Sequence, residues 1–162
     1  MVVADNTQQT TRLYELLSKV VDPEIPVLTL QDLGVLRAIT VEDDEIKVTI
    51  TPTYAGCPAL ETMRADIETT LAQAGFPSVT VKQSLSPAWT TDWMSEAGRK
   101  KLFEYGIAPP AAAACGRETG PAACPQCGST DTQLVSEFGS TACKALHQCQ
   151  DCREPFDYFK CI

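Results

Sequence analysis

Pro52-Thr53-Tyr54-Ala55-Gly56-Cys57-Pro58 is the stretch on which the reading of this chain turns, because it carries a single cysteine from the end of a strand to the start of a helix. Upstream, Ile46, Val48 and Ile50 alternate with Lys47, Thr49 and Thr51, the period-two pattern of a strand with one buried face. Downstream, Leu60, Met63, Ile67, Leu71 and Ala74 recur at three- and four-residue spacing, the apolar stripe of an amphipathic helix. Pro58 suits a first helical position and Gly75 a stop, which places Cys57 at the N-cap. Unpaired amides and the positive end of the helix dipole favour an anion there, so the expectation is a thiol of lowered pKa. The competing reading is a small, half-buried cap residue without chemistry, since free cysteines are commonly buried and inert. Against it, Ser, Thr, Asp or Asn would cap a helix better. Glu61, one turn inside, opposes a thiolate; whether Arg64 reaches it is left open by the sequence.

Working outward, a first helix is expected over 8–20, with Leu13, Leu16, Leu17 and Val20 inward and Pro23 as its stop. Val21-Asp22-Pro23-Glu24-Ile25-Pro26 follows, a two-proline loop with two carboxylates. Asp22 and Glu24 read either as a metal or acid–base pair or as ordinary turn residues, and Asp-Pro favours the turn. Leu33-Gly34-Val35 leads into a strand to Val41, and Glu42-Asp43-Asp44-Glu45 is a solvated hairpin tip. A third strand over 78–85 completes a strand, helix, strand unit, which requires a parallel crossover. The expected fold class is α+β: a small αββαβ sandwich over residues 1–86, followed by a smaller module.

The chain has 162 residues, 13 basic and 21 acidic, for a formal charge of −8, and no segment is basic. A nucleic-acid role therefore has little electrostatic support. No apolar run could span a bilayer, and residues 1–9 lack the basic and apolar regions of a signal peptide, so a cytoplasmic protein with no membrane partner is expected. Eight cysteines in a reducing compartment argue for metal or thiol chemistry over a disulfide scaffold.

Residues 87–107 read as a connector containing Trp89 and Trp93, followed by the helical run with Arg99-Lys100-Lys101. The tryptophans either mark a partner surface or pack the connector onto the first domain. Residues 108–121, Pro- and Ala-rich, read as a linker in which Cys115 is incidental. In the last domain, residues 122–162, Cys124-Pro125-Gln126-Cys127 and Cys149-Gln150-Asp151-Cys152 are two C-x-x-C knuckles. Each aims two sulfurs at one ion, and together they close a tetrahedral S4 site. Zinc in a structural, ribbon-like site is favoured; iron or an iron–sulfur cluster can use the same ligands. So short a tail has too little core to fold without the ion. Cys143 and Cys161 read as buried small residues, or with Cys57 as a second, transient site; His147 reads as a strand residue rather than a ligand.

With those residues in view, the chain resembles known families. Val21-Asp22-Pro23-Glu24-Ile25, Asp32-Leu33-Gly34 and Thr51-Pro52-Thr53-Tyr54-Ala55-Gly56-Cys57-Pro58 are similar to the SufT-like iron–sulfur assembly domain. Pro87-Ala88-Trp89-Thr90-Thr91-Asp92-Trp93-Met94, Tyr105-Gly106-Ile107-Ala108-Pro109-Pro110 and Ser136-Glu137-Phe138-Gly139-Ser140-Thr141-Ala142-Cys143-Lys144-Ala145 extend the resemblance to the PaaD (PaaJ) family over nearly the whole chain. That resemblance implies an accessory subunit of the phenylacetyl-CoA epoxidase system in bacterial phenylacetate degradation. In that system other subunits hold the di-iron centre and the reductase flavin and 2Fe-2S cluster. It also implies Cys57 as the functional cysteine, with Asp22 and Glu24 nearby, in transient handling of iron or a cluster.

The residues themselves carry no paired Glu-x-x-His helices and no dinucleotide fingerprint, so no catalytic site is expected. Three functions compete. The first is an assembly factor using Cys57 as transient ligand, with the oxygenase or the reductase as partner. The second is a subunit that bridges epoxidase components without handling metal. The third is a thiol oxidoreductase using one C-x-x-C pair, which the paired spacing disfavours. A homodimer is left open.

Overall fold

A computed structural model describes residues 6–43, 45–110 and 122–161. It divides into two units between Trp89 and Thr90.

In the first unit the order is α1 (Asn6–Leu17), β1 (Leu36–Glu42), β2 (Glu45–Ile50), α2 (Leu60–Gln73) and β3 (Val79–Gln83), the expected αββαβ. The sheet order is β1-β2-β3, with β1 and β2 antiparallel and β2 and β3 parallel. Ile46, Val48 and Ile50 are buried while their neighbours along β2 are partly exposed, so the alternation sets the inward face. Leu60, Met63, Ile67 and Leu71 are the buried stripe of α2, and α1 packs on α2 and β1. Burying each such side chain contributes about 1.5–3 kcal/mol. Gly75, at φ 92°, takes the left-handed turn that ends α2, where a Cβ would be strained.

Helix α1 ends at Leu17, well before Pro23, so the proline is not its stop. Between α1 and β1 lies a packed loop, not a plain spacer: Ile25, Leu28, Leu30, Leu33 and Val35 are each at most 2 % exposed. Its backbone is tied by Asp22 N–H to Leu28 O (2.8 Å), and by the Thr29 and Asp32 side chains, which accept each other's amides at 3.0 and 3.3 Å. Trp89 is the last residue of this unit; it is 3 % exposed and donates its indole N–H to Leu33 O at 2.9 Å. Of the two readings for Trp89, the structure shows packing.

The second unit comprises a short 3-10 turn (Thr91–Trp93), α3 (Glu96–Tyr105), β4 (Ile107–Ala108), β5 (Thr132–Ser136), β6 (Lys144–Cys149) and β7 (Pro155–Phe159). Ser95 caps α3 by accepting the Gly98 N–H at 2.9 Å, and Gly106, at φ 95°, turns the chain out of it. The sheet order is β4-β7-β6-β5, with β4 parallel to β7 and the other pairs antiparallel. Residues 87–107 are thus no separate connector. Trp89 belongs to the first unit, whereas α3 and β4 belong to the second, because Ile107 and Ala108 find a strand partner in Asp157 and Tyr158. Arg99 also ties this segment in, donating to the carbonyls of Pro110 (2.7 Å) and Thr91 (2.5 Å), so residues 108–110 are packed structure rather than linker. The remaining linker positions, 111–121, and Cys115 lie outside the described residues.

Candidate metal-handling sites

In the first unit β2 runs out at Ile50 and the chain crosses the end of the sheet, with Thr51, Pro52 and Thr53 buried and Ala55 and Gly56 exposed. Cys57 is half-buried and a free thiol. A Cβ placed on Gly56 would meet nothing within 4 Å, so the loop beside the sulfur opens to solvent. Cys57 is not the N-cap. That position is Ala59, in helical conformation (φ −73°, ψ −11°) and without a side-chain cap. The reason is a turn before the helix: Cys57 O accepts the Leu60 N–H at 3.3 Å, while Cys57 N–H donates to Tyr54 O at 3.2 Å.

The expected lowering of the thiol pKa is overturned as well. Burial pushes the Cys57 thiol up; the Ala59 amide opposes this by hydrogen bonding to the sulfur, and the charges of Glu24 and Asp22 raise it further. The helix-start amide is present, but one amide does not offset desolvation and two carboxylates. Tyr54, whose one signal in the sequence is a lone aromatic among small loop residues, also favours the thiolate through its side chain. Glu61 and Arg64, weighed as neighbours from the sequence, do not figure among these influences.

Asp22, 4 % exposed, uses Oδ1 to accept the amides of Glu24 (2.7 Å) and Ile25 (2.9 Å), the Asx turn favoured from Asp-Pro. Glu24 is half-buried. Folding therefore brings Asp22 and Glu24 within electrostatic reach of Cys57, as a turn former and a flanking carboxylate.

In the second unit Cys124, Cys127, Cys149 and Cys152 place their sulfurs within 4.8 Å of one another. Cys124 and Cys152 are 3.7 Å apart and Cys127 and Cys149 3.5 Å. Zinc–sulfur bonds of about 2.3 Å in a tetrahedron put sulfurs about 3.8 Å apart, so the donor set fits a Zn2+ ion. The knuckle backbones aim amides at the sulfurs: the Cys152 amide leads in drawing Cys149 down to about 7. Cys152, despite the Glu154 amide, is pushed up to about 12 by burial and by the neighbouring thiols. A divalent cation relieves this competition by holding all four as thiolates. Cys124 and Cys149 are fully buried in a small core with Ala108 and Phe156.

His147 is a strand residue, as expected. It lies in β6 with its ring 5.8 Å from Phe156 and 5.1 Å from Tyr158, and burial lowers its pKa. Cys143 is buried, with its sulfur 3.0 Å from the Thr141 hydroxyl, outside the four-sulfur group. Cys161 is partly exposed and disulfide-bonded, so it is neither a buried small residue nor a free ligand for a transient site with Cys57.

Comparison with known proteins accords with both halves. Residues 10–82 match the family described as iron-sulfur cluster assembly protein, and residues 108–160 the PaaD zinc beta ribbon domain. A protein of Escherichia coli (strain K12), provisionally named as one of the subunits of 1,2-phenylacetyl-CoA epoxidase, is 52 % identical over 155 residues, covering 95 % of this chain and 94 % of that one. An Fe-S protein maturation auxiliary factor of Porphyromonas gingivalis is 33 % identical over 97 residues, covering 59 % of this chain and 89 % of its own. Among solved structures, a domain of unknown function from Bacillus anthracis superposes with a TM-score of 0.56 at 24 % identity, over 60 % of this chain and 93 % of that domain; this likeness concerns the fold alone.

Proposed function

This chain belongs to the PaaD family, and from that premise we propose that it is an accessory, maturation-type subunit of the phenylacetyl-CoA epoxidase system. It helps to load or maintain iron or an iron–sulfur cluster in the other subunits and has no catalytic site of its own. The observation that carries this reading is the half-buried Cys57 thiol on a partly open loop, within electrostatic reach of Glu24 and Asp22. A single accessible thiolate is a ligand that suits iron and can be shared with a recipient's own ligands. Binding must displace a proton from a thiol whose ionisation is disfavoured, and that competition keeps the hold weak enough to release cargo to a recipient. Tyr54 and the Ala59 amide steady the sulfur while it is charged. The four-cysteine ribbon takes a structural zinc ion and serves as the docking module. The recipients are the di-iron oxygenase or the 2Fe-2S reductase, which places the chain with them in the cytoplasm; among the described residues no helix is long and apolar enough to cross a membrane.

The test is coexpression of the epoxidase subunits with the wild-type chain or with Cys57→Ser, followed by iron and sulfide analysis of the purified oxygenase and reductase. A several-fold fall in metal content with the ribbon metal intact is expected; unchanged content rejects the reading. Exposed Leu134, Val135 and Phe138 favour a second reading, a bridging subunit that handles no metal. It predicts the same copurification with or without the Cys57 thiol.

A further inference from the structure

We propose that the outer edge of β5, unpaired among the described residues, is with the turn that follows it the docking site for an extended, apolar, basic-flanked segment of a partner protein. β5 is the outer strand of the second sheet among the described residues; it carries neither charge nor proline, and its register against β6 shifts between Leu134 and Ser136. Of the devices that commonly shield an edge, charge, proline and bulge, it has only that irregularity. Leu134 (48 % exposed), Val135 (57 %) and Phe138 (69 %) instead present large apolar groups along it.

Phe138 is also held in place. Lys160 Nζ lies 4.8 Å from its ring centroid and donates to Glu137 O at 3.0 Å. The Phe138 N–H donates to Ser136 Oγ at 3.2 Å, and the Ser136 hydroxyl donates back to Phe138 O at 2.9 Å. The next residue, Gly139, leaves no room for a side chain: a Cβ there would lie 2.8 Å from Asp157 Oδ1. A ring that is exposed yet fixed loses little freedom when a partner covers it, the property of an interface anchor.

Charge selects the occupant. Antiparallel pairing of two copies centred on Leu134 would set the exposed Asp131 of one against the exposed Glu137 of the other at both ends, and like charges in opposition are destabilising. A strand with an apolar centre and Lys or Arg at each end meets the same two carboxylates favourably and adds to the sheet through main-chain hydrogen bonds. In assigning that segment to an epoxidase subunit the inference rests on the function proposed above; in locating the surface it does not.

The experiment mixes the metal-loaded full chain with the purified epoxidase oxygenase and reductase subunits. Affinity is measured by sedimentation and backbone amide exchange is followed over residues 132–138. A complex that slows exchange there is expected, weakened about tenfold or more by Phe138→Ser and by the pair Asp131→Lys and Glu137→Lys, each variant retaining its ribbon metal. The proposal is overturned if no complex forms, if one forms without slowing exchange at β5, if the variants bind as the wild type does, or if the chain alone self-associates through this strand. If Cys57→Ser leaves cluster content unchanged while β5 is still protected, the metal-handling function fails and the docking site stands.

Discussion

Burial, and with it the negative charge of Glu24, holds the Cys57 thiol above its ordinary range, although the two residues lie on different loops of the first unit. The folded chain therefore resists ionising this sulfur, whereas the unfolded chain ionises it near the ordinary thiol value of 9.0. Because the folded pKa is the higher, stability is unaffected well below pH 9.0 and declines as pH rises from there through the folded value. Alkylation of the Cys57 peptide by iodoacetamide, followed by mass spectrometry against pH, should show a midpoint above 9.0 that moves down in Glu24→Gln. A midpoint at or below the ordinary value would contradict the electrostatic account.

Trp89 anchors the end of the first unit through its hydrogen bond to Leu33 O. Trp89→Phe keeps most of the apolar contact but leaves that carbonyl without its indole donor, at a cost of about 1–3 kcal/mol. Trp89→Ala adds a cavity and should cost about 3–5 kcal/mol. Urea unfolding of the two variants should rank them in that order; equal losses would mean that the cavity adds nothing, and a Trp89→Phe variant as stable as the wild type would mean that the hydrogen bond contributes nothing.

Lys144 is buried (5 % exposed) with its Nζ 3.5 Å from Asp157 Oδ2, and Ser140 donates to the same carboxylate oxygen at 3.1 Å. Removing one partner strands a buried charge, so Asp157→Ala should destabilise the second unit by about 3 kcal/mol. Adding Lys144→Met should recover much of that loss, because the cost lies in the unpaired ammonium. Thermal unfolding of the metal-loaded single and double variants gives the comparison, and additive losses would refute the pairing.

The purified chain should hold one zinc ion per molecule, and strong chelation should melt β5, β6 and β7 while leaving the first unit folded. Circular dichroism with metal analysis checks both parts. Cys149→Ser, which removes a fully buried ligand, should lower zinc occupancy steeply. Retention of sheet signal without metal would mean that the small core around Phe156 suffices.

Much of the architecture was legible because it is written in local pattern. The Ile46, Val48, Ile50 alternation and the Leu60, Met63, Ile67, Leu71 stripe each fix an inward face whatever they pack against, and both did so. Two C-x-x-C knuckles bring sulfurs together because each short loop carries its own geometry. Less legible is the segment around residues 87–110, where the sequence reads Trp89 and the Ile107–Ala108 strand as a connector and its boundary. Two residues show no periodicity, and their strand exists only because β7 offers an edge. The loop over 18–35 likewise shows only its carboxylates as a pattern, while its buried Ile25, Leu28, Leu30 and Leu33 follow no regular spacing.

The sequence alone determined the strands and helices of the first unit, in their order, and which four cysteines could share an ion, since these depend on neighbours a few positions apart. Tertiary structure alone decided the state of Cys57: a turn moved the cap to Ala59, and the packed loop carried Glu24 and Asp22 to the sulfur. Electrostatic and desolvation energies depend on distance through space and on what excludes water, and neither quantity is fixed by position along the chain.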